Sequence, residues 1–212
     1  MKARLVIPEI LDHLPADDPE AVRSREDLRR VNFLMGNERW VCKTARRFSA
    51  EAAQGIVEIG AGDGALCGKL ARLFPLAPVA AYDLAPRPAR LEPRVAWHRG
   101  NIFNAPPPEG AGVLVANLFF HHFKAEELAM LGKWMLEFKV VIINEPDRTR
   151  LPHLLGWLAH PWMNRVTRHD MHVSIDAGFA PGEIGGLLGL DCWGLEETST
   201  WRGARRVLAW RV

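Results

Sequence analysis

Three glycines at alternate positions, Gly60, Gly62 and Gly64, follow the short apolar run from Ile56 to Ile59 and precede Leu66, Leu70 and Leu73 at helical spacing. Strand, glycine turn and helix in that order make a ligand cradle. Without Cβ atoms the backbone admits a bound molecule closely, and the helix N-terminus presents free N–H groups. Glu58 stands two residues before the first glycine. A carboxylate there attracts a cationic ligand and repels a pyrophosphate. Asp83 closes the next apolar run, Val79 to Tyr82, where a carboxylate is placed to accept hydrogen bonds from ribose hydroxyls. A third feature, the pair His121-His122, ends another apolar stretch, and histidine is the side chain poised to titrate near neutrality. Gly60-x-Gly62-x-x-Ala65 also fits the dinucleotide fingerprint, so the turn alone leaves NAD open as the ligand.

The elements that must position these residues are legible from periodicity and caps. Residues 1–17 read as an extended arm broken by Pro8 and Pro15. Asp18-Pro19-Glu20 is a helix start, with an N-cap acid and proline in the first turn. That helix is expected to reach about Met35 with Leu28, Val31 and Leu34 inward, and a second to run from Glu38 to about Ala53. Strands are expected at Val79–Asp83, Val95–His98, Gly112–Asn117 and Lys139–Asn144, besides the one before the glycine turn. Leu128, Leu131, Met135 and Phe138 mark a helix between the last two, and Pro181–Leu190 is a short one. Cys192–Ser199 and Arg206–Val212 then form a closing hairpin about Arg202-Gly203.

Glu-x-Gly-x-Gly-x-Gly at 58–64 resembles the first motif of the class I S-adenosylmethionine (SAM) dependent methyltransferases. After the fourth strand, Asn117-Leu118-Phe119-Phe120-His121-His122 resembles the polar, apolar, His-His step of the small-molecule methyltransferases of the ubiquinone- and menaquinone-biosynthesis type. Such proteins also close their sheet with an antiparallel hairpin, whereas an NAD-binding Rossmann domain usually continues with parallel units. The resemblance spans residues 55–145 by motif and the remainder by order of elements. It implies an α/β, Rossmann-like, seven-stranded and mostly parallel sheet with a C-terminal antiparallel hairpin. It further implies an arm and helical lid over residues 1–54 and a SAM-binding core over 55–212, one structural domain overall.

The cofactor set implied is Glu58, Gly60, Ala61, Gly62, Gly64, Asp83, Leu84, Asn101, Ile102 and Asn117. Glu58 would face the methionine ammonium, Asp83 the ribose and Leu84 the adenine. Asn101 stands where the family commonly has Asp, and its amide oxygen accepts the same hydrogen bond without charge. Candidate bases are His121, His122 and His169, the last beside Asp170. Trp40, Phe119, Phe120, Trp157 and Trp162 are expected as aromatic walls, with Arg165 and Arg168 for an acidic acceptor. The expected reaction is methyl transfer to oxygen or carbon of a small aromatic or phenolic acceptor. The alternatives are an NAD-dependent oxidoreductase and a SAM-binding protein without catalysis.

Composition narrows the partners. A net charge of +2 over 212 residues calls for neither nucleic acid nor an anionic membrane. No stretch approaches the length of a membrane span, and the start lacks an apolar segment long enough for a signal peptide. Cys42, Cys67 and Cys192 are widely spaced and are expected as reduced thiols of a cytoplasmic monomer or homodimer. His169-x-x-His172, with His160 and Asp170 nearby, fits no closed zinc site, so no metal is expected. Hydrolase elbows and P-loop lysines are absent from the sequence.

Overall fold

The computed structural model describes residues 3–15 and 17–211. Strands β1 (Ile56–Ile59), β2 (Val79–Asp83), β3 (Val95–Arg99), β4 (Val113–Asn117), β5 (Val140–Pro146), β6 (Gly194–Ser199) and β7 (Ala204–Trp210) form one sheet. Their order is β3-β2-β1-β4-β5-β7-β6. The first five run parallel, while β7 lies antiparallel to both β5 and β6. Strand order reverses between β1 and β4, and the crevice at the carboxyl ends of those two strands is where open α/β sheets take ligands. The expected sheet is therefore present, hairpin included.

Three helices precede β1: α1 (Pro19–Met35), α2 (Asn37–Arg47) and α3 (Ser49–Gln54). The glycine turn leads into α4 (Ala65–Leu73), and α5 (Ala125–Trp134) joins β4 to β5. After β5 come α6 (Arg150–Ala159), α7 (Arg165–Ala177) and α8 (Glu183–Leu187). One core layer, with Leu114, Phe120, Phe138 and Phe179, lies on one sheet face; the other, with Val41, Leu66, Leu70 and Ile142, lies under α2 and α4. Among the described residues no helix is long and apolar enough to cross a membrane.

Several boundaries differ from the sequence expectation for identifiable reasons. Asp18 does cap α1, accepting from the Glu20 N–H at 2.7 Å, and Gly36 ends it in the left-handed conformation. Its buried residues, however, are Ala21, Ser24 and Asp27, not the Leu28-Val31-Leu34 face, and Leu34 is exposed. The helix docks on α7 through polar contacts: Asp27 accepts from the Asn164 N–H at 2.9 Å and the Thr167 hydroxyl at 3.2 Å. The second helix breaks at Phe48, which leaves helical geometry, and α3 resumes one residue later. Strand β5 continues through Pro146 because β7 pairs with it as far as Ala204. Met1, Lys2, Ala16 and the predicted strand end Val212 lie outside the described residues.

The N-terminal arm is tied down by side chains rather than by a ladder. The Arg4 guanidinium donates to the carbonyls of Phe123 (2.7 Å), His121 (3.1 Å) and Ala177 (2.7 Å), joining the strand-four tip to α7.

Candidate active site

Gly60 and Gly62 both take left-handed φ, at 67° and 55°. A Cβ built on Gly62 meets nothing within 4 Å, so this residue opens onto the crevice. Its N–H donates to Asp83 Oδ2 at 2.7 Å, while Asp83 Oδ1 accepts from the Ala85 N–H at 2.7 Å. The acid at the tip of β2 thus holds the glycine turn. A Cβ on Gly60 would instead fall inside the Phe119 ring, which seats directly on that glycine. Phe119 also meets Phe123 edge-on at 4.8 Å, and Leu84 stands exposed next to Asp83.

Beneath the turn lies Glu58, only 2% exposed, with Oε2 lacking any partner. Burial pushes its carboxyl up to about 8, against the opposing effect of hydrogen bonds from Cys67. A buried acid with an unused oxygen is suited to a cationic group arriving from above. The other buried side-chain atoms without partners, among the described residues, are Asn37 Oδ1, Asn144 Oδ1 and Arg206 Nε. Strand register places Asn117, Asn144 and Arg206 opposite one another, on the sheet face that also carries Glu58. Asn37 opens α2 beside them, for Arg206 donates to the Met35 carbonyl at 3.0 Å. The edge formed by the carboxyl ends of β1, β4 and β5 and the amino end of β7 therefore carries unsatisfied polar capacity, both donor and acceptor.

The strand-four tip is organised by Glu145 rather than by its histidines. Glu145 is fully buried and accepts the backbone N–H groups of Phe119 (2.9 Å), Phe120 (2.7 Å) and His121 (3.3 Å). It also pairs with His121 Nδ1 at 2.8 Å, while His121 Nε2 lies 3.6 Å from Glu9 of the arm. Burial alone would lower the imidazole, but hydrogen bonds to these two carboxylates outweigh it and raise His121 to about 9. His121 is thus a buried cation with both nitrogens engaged, which leaves it no vacancy for an acceptor's proton. The adjoining Leu118 takes φ 57°, the sole positive value outside glycine among the described residues, and donates to the Asn144 carbonyl at 2.7 Å. His122 sits at the rim with its ring 4.1 Å from that of His121. Desolvation, then the charge on His121, holds its imidazole below its ordinary value.

The remaining expected residues divide. Ala61 and Ile102 are buried beside the cradle, and Asn101 accepts from the Phe103 N–H at 3.0 Å, capping a short turn at its edge. Asn117 accepts from Asn144 Nδ2 at 2.9 Å. Gly64 caps the start of α4 in left-handed geometry. Trp40 is half-buried beneath the Arg206 guanidinium, 5.3 Å from its ring. Phe120 is wholly inside the core and forms no pocket wall. Asp170 is buried and accepts the N–H groups of Ile10 (2.8 Å) and Leu11 (2.9 Å), so it also anchors the arm. His169 contacts that carboxylate at 2.9 Å from an exposed position on α7. Trp157, Trp162, Arg165 and Arg168 are exposed: Trp157 packs on the His160 and His172 rings at 4.6 and 4.9 Å, and the other three line a groove with α1 rather than a wall with Trp40. His160 and His172 do meet, but with His153 rather than His169.

Sequence reasoning passed over Glu9, Glu145 and Arg206. Glu145-Pro146 at the end of an apolar strand was a usable signal, since an acid there must find partners when the strand is buried on both faces.

With this geometry in view, the comparisons with known proteins fall into place. Residues 20–137 match the O-methyltransferase domain family, which is more than half of the chain, and the chain belongs to that family. Uncharacterized methyltransferases of Mycobacterium tuberculosis and Mycobacterium bovis are each 33% identical over 126 residues, covering 53% of this chain and 63% of theirs. The match therefore spans less than two thirds of those relatives' own length. Among solved structures, the plantazolicin methyltransferase BpumL in complex with SAH superposes with a TM-score of 0.70 at 12% identity, covering 92% of both chains. Human N-acetylserotonin methyltransferase in complex with SAM gives 0.61 at 18% identity, over 93% of this chain and 60% of that one. Both likenesses are of fold.

Proposed function

We propose that the chain transfers a methyl group from SAM to a small aromatic or phenolic acceptor, at oxygen or carbon. The observation that carries this reading is the open cradle at Gly62 above a buried Glu58 whose Oε2 is unpartnered. An ammonium or sulfonium fits there where a pyrophosphate does not. When bound, SAM supplies a methyl already activated for displacement. The chain's own residues then have to hold the cofactor, align the acceptor and exclude water. Glu58 and the Asn117-Asn144 pair serve the amino-acid end, and Asp83 the ribose. Arg29 of α1 lies 3.5 Å from Asp63 in the glycine turn, which supports α1 as part of a lid. The mycobacterial relatives and the SAM- and SAH-bound neighbours support the same class of activity.

For the acceptor's proton, His122 is the histidine of the strand-four tip that stands exposed, outside the Glu145 pairing that holds His121. His122→Ala is expected to lower turnover by roughly 10²–10⁴ while leaving SAM affinity near the parent value. The measurement is the rate against pH with labelled SAM and a panel of phenols, quinols and hydroxylated rings. Parent rates in the variant would leave alignment alone as the source of catalysis.

Glu58 also links the cofactor to pH. Its folded-state value of about 8 lies above the ordinary 4.5, so the stability it contributes is full below pH 4.5 and is lost as pH rises through 8. Glu58→Gln removes the ionisation. Near pH 9 the ligand-free variant is expected to exceed the parent in stability by roughly 2–4 kcal/mol, yet to bind SAM about tenfold or more weakly. Urea titrations at pH 6 and 9, beside calorimetry with SAM, read both effects. Equal stability at both pH values would remove Glu58 as the titrating group.

A further inference from the structure

We infer that the outward face of α6 docks on an anionic lipid bilayer. This helix stands on α7 by its small side: Pro152 and Gly156 are buried, and a Cβ at Gly156 would collide with Met171. The opposite side therefore faces water, and it carries Leu151, Leu154, Trp157 and Leu158, which are 44% to 63% exposed. Trp162, in the next turn, is 77% exposed. A surface helix ordinarily shows its polar residues to solvent and its apolar ones to the core; α6 does the reverse. A contiguous apolar face of this kind on a soluble domain marks an interaction site.

The charges around it select the occupant. From Thr149 to His169 the sequence has Arg150, Arg165 and Arg168 and no aspartate or glutamate. All three arginines are exposed. Beside Trp162, α1 contributes Glu20, Glu26 and the buried Asp27 against Arg23 and Arg30, so with Arg165 and Arg168 the cations still outnumber the acids. Leucine and tryptophan on one face with arginine at both ends is the pattern of a helix lying in a membrane interface, its apolar side in the headgroup boundary and its cations on the phosphates. A second copy of the chain meeting the same face by two-fold symmetry would bring these arginines toward one another, whereas lipid phosphates meet them with opposite charge. The low net charge of the whole chain pointed away from membranes; the local distribution on α6 and the start of α7 points toward them.

The test is sedimentation of the full chain with phosphatidylcholine vesicles and with vesicles that also contain phosphatidylglycerol. Binding to the mixed vesicles is expected to exceed binding to phosphatidylcholine alone by about tenfold or more and to fall with added salt. Leu154→Glu with Leu158→Glu is expected to abolish it, and Arg150→Glu to weaken it about tenfold. Neither variant touches the cofactor cradle, so unchanged SAM affinity and circular dichroism certify the fold. Quenching of the parent's tryptophans by brominated lipid gives an independent reading. The inference is overturned if the parent fails to bind mixed vesicles at low salt. It is equally overturned if vesicle binding survives the double substitution while a dimer seen by light scattering is lost.

Discussion

Gly62→Val is expected to yield a folded protein that binds SAM at least about 100-fold more weakly than the parent, the loss following from a branched side chain in the space the ligand must fill. The two halves of that expectation rest on different observations. A Cβ at this position meets no protein atom within 4 Å, so the substitution creates no internal collision. The backbone at φ 55° does resist a β-branched residue, at a cost of roughly 1–2 kcal/mol, which a domain of this size tolerates. The Gly62 N–H remains available to Asp83. What changes is the crevice, where the valine methyls project to the place of closest ligand approach. Calorimetry for binding and circular dichroism for fold separate the two halves. Parent affinity in a folded variant would mean that the ligand does not lie over the turn.

Glu145→Ala is expected to destabilise the fold by roughly 3–5 kcal/mol, the range for removing one member of a buried ion pair. The carboxylate satisfies three consecutive backbone N–H groups and balances the His121 cation; alanine deprives the N–H groups of this acceptor and leaves the cation with Glu9 alone. The pH profile carries a second signature. Because His121 is raised from its ordinary 6.5 to about 9, its contribution to stability is full below pH 6.5 and is lost as pH rises through 9. In the variant only Glu9 remains to support the cation, so this alkaline loss is expected to shrink. Urea unfolding between pH 6 and pH 10 measures both. A cost below 1 kcal/mol with an unchanged pH profile would return His121 to the list of free bases.

The sheet and the cofactor motif were legible because each depends on local signals. Apolar β-branched runs, the Asp18-Pro19 cap and the alternating glycines specify their elements within a few residues of sequence. What escaped depends on contacts between distant segments. Apolar spacing on α1 suggested Leu34 as an inward residue, but the helix docks by Ser24 and Asp27 on a threonine of α7. Asp170 beside His169 suggested a base with its orienting acid, and the two do meet, but the same carboxylate also holds two N–H groups of the arm, which no local signal showed. His121 read as titratable near neutrality, but Glu9 and Glu145 converge on it from either side in the chain. The leucines of α6 at 151, 154 and 158 share one helical face; Gly156 packed against α7 makes that face the outer one.

A calorimetric titration of the full chain with SAM, run in parallel on the Gly62→Val variant, tests the central claim most directly. Saturable binding of one SAM per chain is expected for the parent, and none measurable for the variant over the same concentrations. Absence of SAM binding to the folded parent, or equal binding by both proteins, would contradict it.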